Sequence, residues 1–289
     1  FIQRKFGGLK RTDTLYLQNI AASKKIWTLI ILSKKEPDNK VFFELGTGRV
    51  PEVPFYLWLM GADKIYTLDI QQLVKNNLIS EFFQNVIKNE NIIRDELGEF
   101  LIEERLNKFK SNILIKKESE LIEFMESVMK IIYFPKLDAK KTSLLDNTID
   151  FYFSNNVFEH INIESISDIL IEQKRITKNN GLMINYIDYS DHFSHTDKSI
   201  SSINFLQYDD ISWSKYGANR FIYMNRLRHD DFINIFDKHS YNCIITEINR
   251  EVNFNEIIKK NSFEIHESFR KKSKDTLSIL GSWFVHSNL

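Results

Sequence analysis

A carboxylate, two glycines and a second carboxylate are the first residues of this chain whose types and spacing could do chemistry. Glu44 sits in the apolar run VFFEL (41–45), Gly46 and Gly48 flank Thr47 directly after it, and Arg49-Val50-Pro51 follow. Glycines there permit positive φ and let the backbone come close to a ligand. Glu44 repels a phosphate and attracts an ammonium or a sulfonium. A dinucleotide turn also wants a third glycine for close helix–strand packing, and here Pro51 stands at that position. Asp69 lies near the end of the next apolar run, KIYTLDI (64–70), where a carboxylate can accept both hydroxyls of an adenosine ribose. Asp138-Ala139 is expected after a third strand, where an acid can accept from an adenine amino group. Ser154 and Asn155 close a fourth strand, TIDFYFSNN (148–156).

A second group of reactive types follows the fifth strand. IDYSDHFSHTDKS (187–199) carries Asp188, Asp191, His192 and His195. Imidazole titrates near neutrality, so His192 or His195 is a candidate general base. The same four side chains suit a divalent cation that positions a hydroxylated acceptor, or simply a polar loop bonded to itself. No metal is assigned from the sequence. In residues 204–231, Tyr208, Trp213, Tyr216 and Tyr223 interleave with Arg220, Arg226 and Arg228. Aromatics with arginines suit a lid over an anionic or sugar-like acceptor, because guanidinium offers a planar fork to carboxylate or phosphate. The plainer alternative is an aromatic packing layer with solvated arginines.

The elements that must position these residues read as alternating α and β. A helix is expected over 12–34, with Thr12 or Asp13 as its cap, then a turn at 36–40 and the strand 41–45. Pro51 suits the first turn of a helix, where its missing N–H costs nothing. That helix closes near Gly61, and the strand 64–70 completes a strand–turn–helix–strand unit. Residues 71–133 carry helical periodicity beyond what one helix needs and read as a helical insertion. Strands are expected at 148–156, 182–188, 241–248 and 277–285, helices near 164–177 and 229–239, and a turn at Asn179-Asn180-Gly181. Residues 189–228 form a long excursion, the expected acceptor lid. The alternation predicts an α/β fold with a mainly parallel sheet.

The bulk properties narrow the function classes. The chain has 289 residues, 43% of them hydrophobic, enough for one large domain with a real core. Lys plus Arg and Asp plus Glu are 39 each, so neither a nucleic-acid nor a membrane surface is expected. A single cysteine, Cys243, excludes an intrachain disulfide and a cysteine-based metal site. IWTLIIL (26–32) is too short to span a membrane and falls in a helical pattern. No signal peptide is read, and a cytoplasmic location is expected.

Taken in order, these pieces resemble the class I S-adenosylmethionine-dependent methyltransferases over roughly 41–190. Glu44-x-Gly46-x-Gly48 resembles their first motif, Asp69 their ribose acid, Asp138-Ala139 their adenine-contact motif, and DFYFSNNVFEHI (150–161) their fourth-strand motif, with Glu159-His160 in the usual place. The resemblance implies a Rossmann-like seven-stranded sheet, mainly parallel with an antiparallel C-terminal strand, and helices on both faces. It implies S-adenosylmethionine as cofactor, held by Glu44, Gly46, Thr47, Gly48, Asp69, Ile70, Asp138, Ala139, Ser154 and Asn155. The expected reaction moves a methyl group to a hydroxyl of a small sugar-like or anionic acceptor. His192 or His195 would be the base, and Asp188, Asp191, Tyr208, Trp213, Arg220, Tyr223 and Arg226 would face the acceptor. Glu159-His160 reads as structural rather than catalytic. Arg49 pairs either with the cofactor carboxylate or with Glu52. A homodimer is possible, with the insertion as a candidate face. Two other readings stay open: a nicotinamide oxidoreductase, disfavoured by Glu44, Pro51 and the β-rich tail, and a non-catalytic binding module on the same fold.

Overall fold

The structure, a computed structural model, describes residues 13–217, 223–261 and 264–289. Two of the expected site or cap residues, Thr12 and Arg220, lie outside the described residues. In chain order the first elements are α1 (Asp13–Leu32), β1 (Val41–Leu45), α2 (Glu52–Met60) and β2 (Lys64–Asp69). Four helices follow: α3 (Asn76–Lys88), α4 (Glu90–Leu97), α5 (Glu103–Ile113) and α6 (Leu121–Met129). Then come β3 (Ile131–Pro135), β4 (Ile149–Asn155), α7 (Ile163–Ile176), β5 (Thr177–Asp188), α8 (Phe193–Thr196), α9 (Asp210–Tyr216) and α10 (His229–Lys238). The chain continues through β6 (Asn242–Arg250), α11 (Phe254–Asn261), α12 (Glu267–Arg270) and α13 (Lys274–Ser278) to β7 (Ile279–Ser287).

Seven strands form one sheet in the order β3-β2-β1-β4-β5-β7-β6, the seven-stranded arrangement expected. β1 pairs parallel with β2, and β2 with β3, while β7 inserts beside β5 and pairs antiparallel with β6. A dinucleotide sheet runs 3-2-1-4-5-6, so the inserted last strand separates this fold from the nicotinamide alternative. The chain divides into two compact units. The first is Phe1–Phe153, Glu172–Ile184 and Asn288–Leu289; the second is Ser154–Ile171 and Asn185–Ser287.

In the first unit every residue of α2 is buried. A helix apolar on all sides has to be covered on all sides. Part of that cover comes from the stretch between β2 and β3. The ring of Phe55 on α2 meets Phe82 of α3 edge-on at 5.2 Å and Phe109 of α5 at 5.1 Å, and Phe83 meets Phe109 at 5.0 Å. Towards the sheet, Trp27 of α1 stacks on Phe42 at 6.0 Å, Phe42 meets Phe151 at 5.2 Å, and Phe43 stacks on Tyr152 at 4.8 Å. The 71–133 helices are therefore part of this unit's core.

Two local expectations shift. Pro51 caps α2 from outside, with φ −77°, and Pro54 occupies its first turn. Asn179-Asn180-Gly181 is not a separate turn: β5 begins at Thr177 and runs through it. Asn180 takes a left-handed φ of 62°, and its amide donates to the Asn288 carbonyl (2.6 Å) while the Asn288 amide donates to Gly181 (3.0 Å). Pairing with the far end of the chain holds the segment in the strand.

The second unit centres on a cluster that includes Phe205, Leu206, Trp213, Met224, Phe254 and Phe269. Within the same unit Arg228 is completely buried, its guanidinium donating to the carbonyls of Tyr189 (2.6 Å), Leu277 (3.0 Å) and Ile279. No described helix is long and apolar enough to cross a membrane.

Candidate functional site

In the first unit, the residues that follow β1 close against the end of β2. Gly46 and Thr47 both donate their amides to the Leu68 carbonyl at 3.0 Å. Gly46 and Gly48 adopt φ of 86° and 66°, the region that favours glycine. A Cβ on Gly48 would meet nothing within 4 Å, so open space lies in front of the turn. The Gly48 amide donates to one carboxylate oxygen of Asp69 (3.2 Å), and the Gln71 amide to the other (3.0 Å). Burial raises the Asp69 carboxyl above its ordinary value, and these two amides oppose the shift.

Glu44 is buried, and its carboxylate accepts from the Thr67 hydroxyl at 2.5 Å. Thr67 in turn lies 2.5 Å from the Thr47 hydroxyl. Nothing local in the sequence marks Thr67, although parallel pairing sets it directly opposite Glu44. Burial pushes the Glu44 carboxyl up to about 8; the Thr67 hydrogen bond opposes this and the Asp69 charge adds to it. A cation placed beside Glu44 would restore its charge. The residues thus fit a ligand carrying an ammonium or sulfonium and a ribose, which are the groups of S-adenosylmethionine.

Around this turn, Ile70 is 68% exposed and offers an apolar surface next to Asp69. The Leu137 amide donates to the Asp69 carbonyl at 3.2 Å, tying the turn that carries Asp138 and Ala139 to the end of β2. Asp138 is half-exposed and accepts from the Lys140 amide at 2.9 Å; Ala139 is buried. Glu52 accepts from Asn19 at 2.9 Å, and Arg49 is exposed.

In the second unit, Ser154 is fully buried and its hydroxyl donates to the Asn185 side chain at 2.8 Å; Asn155 is half-buried. Beyond them lies a histidine–carboxylate cluster. His192 Nε2 and His195 Nε2 stand 3.5 Å and 3.6 Å from one oxygen of Asp188. His195 Nε2 also lies 2.9 Å from the Ser190 hydroxyl, and the His192 ring stacks on His195 at 4.9 Å. Burial pushes the Asp188 carboxyl up, but His192 and Ser190 outweigh it and hold it below its ordinary value. Burial lowers His195 and His160, with the Asp188 charge opposing in both.

Glu159 and His160, read as structural, join this cluster. The His160 ring meets His192 at 4.9 Å, and its Nδ1 lies 2.7 Å from the Tyr223 carbonyl. A carbonyl only accepts, so Nδ1 carries the proton. Asn225, overlooked in the sequence, clamps the turn: its side chain donates to the carbonyls of Phe158 (2.7 Å) and Ile161 (3.0 Å), and its amide to Glu159 (2.9 Å). Nothing local marks Asn225 for this work.

Several expected acceptor contacts are held inside the second unit instead. Asp191 is fully buried and accepts from the Phe193 amide (2.9 Å) and the Asn204 side chain (3.1 Å), so it organises the loop. Trp213 is 4% exposed and donates to the Met224 carbonyl at 3.2 Å, and the Tyr208 ring stacks on it at 6.3 Å. Arg226 is buried; its guanidinium donates to the Tyr208 carbonyl (2.6 Å) and pairs with Asp210. Trp213, Arg226 and Arg228 therefore hold the described part of the 189–228 region together, and the arginine fork for an anion is not formed by Arg226. Tyr223 contributes its carbonyl to His160.

Residues 115–185 match the sequence family described as a methyltransferase domain, a span that includes Asp138, Ser154, Asn155, Glu159 and His160. No curated protein matches the sequence. Among solved structures, one assigned as a sarcosine dimethylglycine methyltransferase from Galdieria sulphuraria is similar at 14% identity, with 93% of this chain and 86% of that chain covered and a TM-score of 0.51. One assigned as a methyltransferase from Bacillus halodurans is similar at 8% identity, covering 92% and 99%, with a TM-score of 0.50. The cyclase SpnF is similar at 7% identity, covering 93% and 80%, also at 0.50. At such identities the likeness concerns the fold, and a cyclase among these neighbours shows that the fold alone does not decide the reaction.

Proposed function

We propose that the chain is a class I methyltransferase that takes its methyl group from S-adenosylmethionine and moves it to a hydroxyl oxygen of a small molecule, with His195 as general base. The observation that carries this reading is the Asp188 carboxylate, held ionised beside two imidazoles. A hydroxyl must lose a proton as the new O–CH3 bond forms, whereas a neutral amine can attack first and lose its proton afterwards. Asp188 and Ser190 hold His195 through Nε2, which leaves Nδ1 to take that proton. The carboxylate then stabilises the imidazolium.

S-adenosylmethionine supplies a methyl group activated by a positive sulfonium, with a neutral thioether as leaving group. Glu44, the Gly46–Gly48 turn, Asp69, Ile70 and the Asp138-Ala139 turn are the proposed cofactor contacts in the first unit. Ser154 and Asn155 are proposed to contribute through their backbone, since the Ser154 hydroxyl is bonded to Asn185. The acceptor need not be anionic, because Arg226 is engaged with carbonyls and Asp210. Catalysis then rests on alignment and exclusion of water as well as on the base.

The test is a panel of alcohols, phenols, sugars and amines incubated with S-adenosylmethionine, with S-adenosylhomocysteine read by mass spectrometry. Turnover of hydroxyl acceptors that drops by roughly 100-fold or more in His195→Ala supports the reading. Turnover of amines alone, or an unchanged rate in that variant, would remove it.

A further inference from the structure

Glu159, His160 and His192 each bring a ligand atom within 4.8 Å of the other two, and we propose that these side chains bind one divalent first-row transition-metal ion. The inference deepens the proposed acceptor site and rests on that reading only for its purpose. The ion would take the acceptor hydroxyl as a ligand and make it easier to deprotonate.

Three independent features support the site. Glu159 is 3% exposed, and neither carboxylate oxygen has a hydrogen-bond partner. An ionised carboxylate at that depth is costly unless a cation sits beside it. His160 uses Nδ1 to donate to the Tyr223 carbonyl at 2.7 Å, which leaves the Nε2 lone pair for a metal. Ligating histidines are oriented in just this way by a carbonyl or carboxylate on the other nitrogen. Finally, His192 Nε2 is shielded from solvent with Asp188 3.5 Å away, and metal binding would take this nitrogen over from Asp188.

The turn that carries Glu159 and His160 is held beforehand, because Asn225 bonds to the carbonyls of Phe158, Glu159 and Ile161. A ligand set fixed by its surroundings loses little freedom on binding. Two imidazoles and a carboxylate suit zinc, iron, cobalt or manganese better than magnesium or calcium, which prefer all-oxygen sites. Three protein ligands leave coordination positions open for water or an acceptor oxygen. A second candidate group, Asp188, His192 and His195, shares His192. Asp188 already accepts from the Ser190 amide at 2.7 Å, so that group lacks the orphaned carboxylate that distinguishes Glu159.

The experiment uses the full chain, stripped with chelator and titrated with Co2+. The readouts are visible d–d absorption and metal content by atomic emission. One ion per chain is expected, with affinity reduced by roughly 100-fold or more in Glu159→Gln. Glu159→Gln keeps the side-chain shape and removes a buried charge, so it should fold; if it does not, His160→Ala replaces it, with the same expected loss. Binding of S-adenosylhomocysteine by the same variant, unchanged, separates this result from any failure of the methyltransferase reading. Absence of Co2+ uptake by the wild type would overturn the proposal. So would uptake retained in Glu159→Gln and lost in Asp188→Asn.

Discussion

The Gly48 amide donates to a carboxylate oxygen of Asp69 at 3.2 Å, so the turn after β1 is fastened to the end of β2 by a side chain that is also the proposed ribose acceptor. One residue therefore shapes the turn and is the proposed contact. The other oxygen accepts from Gln71, which fixes the carboxylate plane.

Asp69→Ala should weaken binding of S-adenosylhomocysteine by roughly 10- to 100-fold, the worth of one or two hydrogen bonds to a charged group. Isothermal titration measures it. An unchanged affinity would take Asp69 out of the cofactor site.

Glu44 makes stability and binding depend on pH in opposite directions. Its folded-state value of about 8 lies above the ordinary 4.5, so the folded protein holds a proton that the unfolded chain releases between those values. The contribution is complete below pH 4.5 and is lost as pH rises through about 8. Without ligand, the melting temperature should fall across this window and then level. A cation beside Glu44 favours the carboxylate, so binding of S-adenosylmethionine should release a proton and tighten towards pH 8. Glu44→Gln should flatten both profiles. Thermal melts over a pH series, with and without ligand, read both slopes.

Phe55→Ala should open a cavity where α2 meets the helices inserted between β2 and β3. The loss is about 3–5 kcal/mol by analogy with other buried phenylalanines. Urea denaturation of the variant measures it, and a loss under about 1 kcal/mol would mean that those helices do not depend on this contact.

Arg228→Leu should leave the carbonyls of Tyr189, Leu277 and Ile279 without their common donor. Burial lowers the guanidinium to about 10, still charged at neutral pH. Removing such a partner costs on the order of 3–5 kcal/mol, read as a shift in the urea midpoint. Arg226→Leu should also destabilise, but by less, because its partner Asp210 is exposed.

The sequence alone determined most of the elements and the glycine turn after β1, because these are local or periodic; β3 (Ile131–Pro135), at the end of a stretch with helical periodicity, was not legible. Glu44, Gly46 and Gly48 lie within five residues, and the apolar runs around them announce a strand, a turn and a helix without help from distant chain. The order of strands and helices then constrained the sheet to very few arrangements. The cluster on the second unit was only half legible. Asp188, His192 and His195 are close in sequence, but Glu159 and His160 join them only through folding, and the turn that presents them is clamped by Asn225, far along the chain. The arginines were least legible. In the sequence Arg226 and Arg228 read either as forks for an anionic acceptor or as solvated arginines on a packing layer, yet tertiary contacts bury both among backbone carbonyls. Burial and hydrogen-bond satisfaction depend on which remote groups surround a side chain. For that reason tertiary structure alone decided that the arginines support the fold and that a buried carboxylate, Glu159, stands without a donor.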